Sequence, residues 1–441
     1  MTAVRQAVRQ TFRALSVRNF RLYFIGQVVS VSGTWMQTIA LALLVLSDRL
    51  HGTGFDVGLV TALQFLPMLL FGSFGGLTAD RVNKRRLLFV TQSSAGALAL
   101  CLGLLTALGT VRLWEVMVLA TLLGVVNLFD NPGRQTFVSE MVGRDLMPNA
   151  ISLNSVLMNS ARVIGPAIGG VLIYTAGFAA CFLVNAASYL AVLAALFLMR
   201  PAELHRRPGV QRAKGQVREG LRYVWTTPAL RDPLLAMAVV GIFAFNFTTT
   251  LPLLAKFTFH GGAGTYSALT AAMGCGAVVG GLLVAHRSRP STALLSLIGI
   301  FFGVMILAVA AAPDEAVALA ALVCMGVGSI SFIATANATL QLRSDPSMRG
   351  RVMSLYAIAF LGSTPIGAPL VGWISDATSP RVALLVGGAA TLAATFPLVL
   401  RYADVPARVR RRRGSPGGVV DLAVRRPPGG EGQIPRAAGH P

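Results

Sequence analysis

Three charged side chains stand inside long apolar stretches of this sequence: Asp130, Arg134 and Arg162. A carboxylate in such surroundings can hold a cation or take up and release a proton, and a guanidinium there can receive an anion. Asp130 and Arg134 have the i, i+4 spacing of a helical ion pair, with Asn127 and Asn131 on the same face. The pair is either a self-neutralised structural or gating lock, or the place where Asp130 couples to protons. Arg162 falls about 20 Å along its helix when counted from Asn149 at ~1.5 Å per residue. An unpaired charge at that depth costs several kcal/mol, so Arg162 calls for an anionic substrate group, a helix carbonyl or Asp130 as partner. No His, Cys or paired carboxylates gather at catalytic spacing, so no catalytic residue, metal or cofactor is expected. A glycine-rich phosphate loop ending in Lys-Ser or Lys-Thr is also missing, which disfavours a nucleotide-driven pump.

Uncharged polar residues mark the faces that could surround these charges. Gln27, Ser30, Thr34 and Gln37 form one stripe on the first apolar stretch, facing either a substrate cavity or a neighbouring helix. Ser155, Asn159, Arg162 and Pro166 share a face further on, and Asn246, Thr249, Thr250, Asn337 and Gln341 are the weaker equivalents in the second half. The candidate cavity set is Gln27, Thr34, Gln37, Asn127, Asn159, Arg162, Asn246 and Asn337, with Asp130 as the candidate for proton coupling. His260 and Asp376 read as solvated outer residues.

The elements that must position these residues are membrane helices. Of 441 residues, 54% are hydrophobic and 12% charged, against about 25% charge in soluble domains. Apolar windows at about 20–47, 56–78, 87–109, 114–134, 149–175 and 178–200 are followed, after a polar stretch, by about 233–257, 264–286, 292–312, 315–340, 350–375 and 381–402. The net charge of +21 sits in short clusters between these windows, which speaks for membrane topology and against nucleic acid. With the 75–86 loop in the cytoplasm, both termini, Arg134, Arg144, Arg200 to Arg231, Arg287, Arg289 and Arg343 to Arg351 lie on that side. The outer side keeps Arg49, Arg112, Lys256 and Arg381, alongside Asp48, Asp56, Glu115, Asp314, Glu315 and Asp376.

The expected organisation is a cytoplasmic segment 1–19, six-helix bundles at 20–200 and 233–402, a linker 201–232, and a basic disordered tail 403–441. In the linker, QVREGLRYVW could place Val217, Leu221, Val224 and Trp225 on one apolar face, as an interfacial or an ordinary solvated helix. No removable signal peptide is evident. Cys101, Cys181, Cys275 and Cys324 read as packing residues without disulfides. Ser152, Leu153, Ile164, Gly165 and Gly170 match Ser354, Leu355, Ile366, Gly367 and Gly372 at one constant offset, which suggests duplication.

The loop GGLTADRVNKRR, with Gly76, Asp80, Arg81, Lys84, Arg85 and Arg86, resembles the signature loop of major facilitator superfamily transporters. Asn83 stands where that family usually has a second glycine, a place where Asn tolerates positive φ. GPAIGG, with Gly165, Pro166, Gly169 and Gly170, resembles the fifth-span motif of exporter-type members, and is otherwise a helix-packing motif. Together with RNFRLYFIGQ, the FDNPGRQTF turn after the fourth span and NAISLNSVLMNSARVIGPAIGG, it is similar to the enterobactin-exporter-like and drug:proton antiporter subgroup.

The resemblance implies an all-α polytopic membrane protein with about twelve transmembrane helices in two pseudo-symmetric six-helix halves. It also implies a bacterial cytoplasmic membrane, proton-linked export of a siderophore, macrolide or other small amphiphile, contact with lipid, and a monomer. In that family the Asp80 equivalent forms a cytoplasmic latch with the start of the eleventh helix, here near Arg349 and Arg351; a merely solvated loop is the alternative. An importer of a small metabolite, or a non-transporting membrane scaffold or receptor, would keep the same fold.

Overall fold

The computed structural model describes residues 12–143, 145–205, 216–285 and 290–402. Among the described residues there is no strand. The helices are α1 (Arg18–Val45), α2 (Gly54–Arg81), α3 (Lys84–Ala107), α4 (Leu113–Val142), α5 (Met147–Leu198), α6 (Gln216–Thr226) and α7 (Pro228–Phe243). They continue as α8 (Phe247–Leu253), α9 (Ala263–Ala285), α10 (Thr292–Ala311), α11 (Glu315–Arg343), α12 (Arg349–Leu361), α13 (Thr364–Ala377) and α14 (Pro380–Tyr402). Eleven described stretches are long and apolar enough to cross a membrane. The longest, α5, has 52 residues and is interrupted at Gly177 (φ 78°, ψ 179°), a conformation glycine adopts without penalty. Counting its two arms separately gives twelve spans, with α7–α8 and α12–α13 each forming one broken span.

Local chemistry explains several boundaries. α2 starts at a capping box: Asp56 Oδ2 accepts from Thr53 N at 2.8 Å, and Thr53 Oγ1 accepts from Asp56 N at 3.3 Å. Asn83 takes φ −65° rather than a positive φ, and its Oδ1 accepts from Arg86 N at 3.2 Å. It therefore acts as the N-cap of α3, a role that side-chain oxygen chemistry fills where a glycine would only turn. The turn expected at FDNPGRQTF does not form, because α4 continues through Pro132 to Val142. The missing N–H of Pro132 leaves the carbonyl of Leu128 without its usual donor, a loss that membrane helices tolerate where neighbours or local adjustment satisfy the freed group.

The packing is the same in both parts of the chain. α2 and α3 lie on α4, α1 packs on α5, and α3 meets the second arm of α5. Correspondingly α9 and α10 lie on α11, α7 packs on α12, and α10 meets α14. The most extensive crossings between the halves are α5 with α9 and α2 with α13. The sequence repeat has a structural counterpart here. A Cβ on Gly165 would come within 2.6 Å of Ser32 O on α1, and one on Gly367 would overlap Ile242 O on α7. Gly170 abuts Ser267 on α9, while Gly372 abuts Gly54 on α2. Matched glycines thus serve matched crossings.

The linker helix α6 docks on the second half. Glu219 pairs with Arg351 at 2.8 Å, and Tyr223 Oη donates to Asp345 Oδ2 at 3.1 Å. Its expected single apolar face divides: Val224 is buried against the protein, whereas Leu221 and Trp225 are 46% and 58% exposed. Both remain free to meet a membrane interface. The Val217 side chain lies outside the described residues. Of the expected N-terminal segment, Arg13–Ser16 forms a 3-10 turn that packs on the bundle, with Ala14 N donating to Asn149 Oδ1 at 2.8 Å. The expectations for residues 1–11, Arg144, 206–215, Arg287, Arg289 and the tail from 403 lie outside the described residues. All four cysteines are free; Cys181 is buried, but Cys101, Cys275 and Cys324 face outward. Lipid accommodates a weakly polar thiol as readily as a protein interior does, so these three are not packing residues.

Candidate functional site

Two adjoining cavities lie between the helices, of about 360 and 220 Å³. They share Trp35, Thr38, Phe65 and Thr248 in their walls.

The larger cavity is built mainly from α1 to α4, with Met158 and Tyr189 from the two arms of α5. Ser30, Thr34 and Gln37 of the α1 stripe line it, opposite Asn127, Asp130, Asn131 and Arg134 of α4. The ion pair forms, since Arg134 Nη2 contacts Asp130 Oδ2 and Arg134 Nε donates to the same oxygen at 3.1 Å. Asp130 is buried, and its other oxygen accepts from Thr91 Oγ1 at 2.7 Å and Gln92 Nε2 at 2.8 Å. Gln27 lies behind this wall, where its Oε1 accepts from Arg134 Nη1 at 3.3 Å. Gln37 both faces the cavity and accepts from Asn185 Nδ2 at 2.6 Å. The stripe on α1 therefore meets both of its possible roles.

The smaller cavity spans the two halves, with walls from α1, α2, α5, α8, α9, α11, α12 and α13. Arg162 lines it, 5.1 Å above the ring of Trp35. That approach is possible because Gly165 has no side chain: a Cβ there would come within 2.6 Å of Trp35 Cβ. Gly169 and Gly170 extend the contact to Met36 of α1 and Ser267 of α9, and Pro166 is buried among them. Arg162 does not pair with Asp130, whose oxygens are already taken.

Three expected cavity residues turn elsewhere. Asn159 Nδ2 donates to Ser155 O at 2.9 Å within its own helix. Asn246 is buried at the break between α7 and α8, its Nδ2 donating to Ile242 O at 2.6 Å. Asn337 Oδ1 accepts from Gln341 Nε2 at 2.5 Å. None of the three lines either cavity. The reason is common to Asn159 and Asn246: a short amide can satisfy itself on the carbonyl four residues back, which apolar surroundings favour.

The signature loop also divides. Lys84 pairs with Glu140 of α4 at 2.8 Å, both side chains being nearly buried. Arg85 Nε donates to Leu196 O at 2.7 Å, at the carbonyl end of α5 where a cation is favoured. Arg81 is exposed in the last turn of α2. Gly76 and Asp80 belong to α2, but the Asp80 side chain lies outside the described residues. Arg351, expected to receive Asp80, is paired with Glu219.

Sequence reasoning missed the residue that joins the halves at the other end of α2. Asp376 Oδ1 and Oδ2 accept from Gly54 N and Phe55 N, each at 2.7 Å. Nearby, Lys256 Nζ donates to Leu46 O, so α8 and its extension also hold the end of α1. A terminal Ser-Asp on a helix carries no signal of a partner 322 positions away.

A sequence profile of the transmembrane secretion effector family matches residues 9–414. The multidrug efflux pump Tap of Mycolicibacterium fortuitum is 24% identical over 377 residues, covering 82% of this chain and 91% of its own length. The enterobactin exporter EntS of Citrobacter koseri is 25% identical over 389 residues, covering 84% of this chain and 88% of its own. Among solved structures, the nucleoside transporter NupG superposes with a TM-score of 0.66 at 12% identity, over 88% of this chain and 99% of that one.

Proposed function

The chain belongs to the transmembrane secretion effector family, a branch of the major facilitator superfamily, and from that premise we propose that it exports a small amphiphilic molecule by alternating access. The observation that carries this reading is a cavity spanning two similarly packed halves and adjoined by a second one, beside a junction that is clasped at the Gly54 and Asp376 end. A full-length likeness to a multidrug efflux pump and an enterobactin exporter supports export and a siderophore- or drug-like cargo.

The basic end of the bundle, which carries Arg81, Lys84, Arg85, Arg343 and Arg349, belongs in the bacterial cytoplasm with both termini. The Gly54 and Asp376 end then faces outward, and the clasp there corresponds to an inward-facing state. The two bundles, at 20–200 and 233–402, rock about the cavities. Protons drive the cycle, and Asp130 is the acid positioned in the cavity wall to carry them. Its bonds to Arg134, Thr91 and Gln92 must then loosen when it is protonated.

Inside-out vesicles holding the full-length protein test this. Imposing an inside-acid pH gradient should drive accumulation of enterobactin or a macrolide, and Asp130→Asn should abolish the pH-driven component. Uptake of those compounds by intact cells without accumulation in the vesicles would reverse the direction, and full pH-driven flux in a well-inserted Asp130→Asn protein would remove Asp130 from coupling.

A further inference from the structure

The two cavities differ in charge balance. In the larger one Asp130 and Arg134 neutralise each other, and Thr91 and Gln92 occupy the remaining carboxylate oxygen. In the smaller one Arg162 is the charged residue of the wall, and no carboxylate among the described residues lines that cavity. Among the described residues Arg162 makes no ion pair, and its Nε is buried without a hydrogen-bond partner. One face of its guanidinium lies over Trp35, which attracts the cation through the ring but satisfies none of its N–H groups. The rest of the wall is largely aromatic and apolar, with Phe65, Phe247, Tyr266 and Phe360 around it.

A buried guanidinium with a free edge is costly unless an acceptor fills that edge, and a planar oxyanion does so with two parallel hydrogen bonds. An organic cation would meet the opposite situation. Asp130 is the one acid in either described wall, and it is fully engaged.

We infer that the cargo of this transporter is an amphiphilic anion, whose carboxylate or similar planar oxyanion docks on Arg162 while its aromatic or apolar body fills the Trp35, Phe247 and Phe360 surroundings. This rests on the export reading for the word cargo; the anion subsite itself rests on Arg162 and its walls.

Three probes with one body and different charge separate the possibilities: 2-naphthoate, 2-naphthamide and 2-naphthylmethylammonium, titrated calorimetrically into the purified full-length protein in detergent. The naphthoate should bind about tenfold or more tightly than either of the others, the gain of a charge-assisted bidentate contact. Arg162→Gln should bring naphthoate down to the amide's affinity, and Arg162→Lys should retain part of the preference, since it keeps the charge without the fork. Equal affinities for the three probes, tighter binding of the ammonium, or no naphthoate binding at all would overturn the inference. An anion preference unchanged in Arg162→Gln would do the same. The wild-type ranking decides the matter even if the variants fail to fold. Vesicle flux keeps the two proposals apart: anion-selective binding without export sinks only the export reading, and export by a protein that binds all three probes alike sinks only the anion subsite.

Discussion

The two ends of α2 hold the molecule together in opposite ways. At its start, Gly54 and Gly58 bring its backbone against Gly372 and Ala368 of α13, and Asp376 accepts from two of its free N–H groups. A carboxylate there also meets the positive end of the helix dipole. Every one of these contacts crosses from one half to the other. At its finish, Leu70, Phe71 and Phe74 are 61%, 55% and 69% exposed, and the basic residues that follow turn back onto their own half through Glu140 and the end of α5. Among the described residues, then, the start of α2 is a junction between bodies, and the residues that follow its finish are a brace within a body. A rocking transporter needs its halves joined at one face at a time, and the contacts at the start of α2 are of the kind that must open while those of Lys84 and Arg85 need not.

Substitutions at the two ends should therefore differ in kind as well as size. The largest effect is expected from Gly58→Leu, whose Cβ alone would overlap Ala368 O. The clasped state should be lost, and vesicle flux should fall more than about tenfold, since a backbone-to-backbone contact cannot yield as a flexible side chain does. Asp376→Ala removes two charge-assisted hydrogen bonds at the same junction, worth about 1.5–3 kcal/mol each before water replaces them. Spin labels at the starts of α2 and the ends of α13 should show a longer distance population, with little change in melting temperature. Lys84→Ala should do the reverse: it leaves Glu140 nearly buried and uncompensated, lowering stability by about 3–5 kcal/mol while leaving those distances unchanged. If Lys84→Ala moved the label distances as much as Asp376→Ala, the distinction between junction and brace would collapse. The smallest effect is expected at exposed Arg81, where Arg81→Ala should change stability by no more than about 0.5 kcal/mol.

Much of this fold was legible from residue order because a bilayer imposes length and apolarity on each helix directly. The windows locate most of the spans to within a few residues, the end of the fourth excepted, and the ion pair at Asp130 and Arg134 follows from spacing within a single helix. What depends on two helices at once was not legible. Asp376 reads as a solvated end residue until α2 is beside it, and Arg162 acquires Trp35 through the absence of a side chain at Gly165. Asn159 and Asn246 point to the same limit from the other side, for each amide bonds the carbonyl four residues back and leaves the cavity to aromatic rings. Pro132 misled for a different reason: in water it would end a helix, whereas here α4 continues for ten residues beyond it, to Val142.

Gly177 has a bearing on how the chain is made. The two arms of α5 are joined by that residue alone, with no polar connection between them, so nothing hydrophilic has to be carried through the bilayer when they insert. They are suited to enter as a hairpin, the first arm already turned toward α1 and the second toward α3. A charged tag spliced in after Gly177 would burden biogenesis before it touched transport, and the missing protein, rather than an idle one, would be its signature.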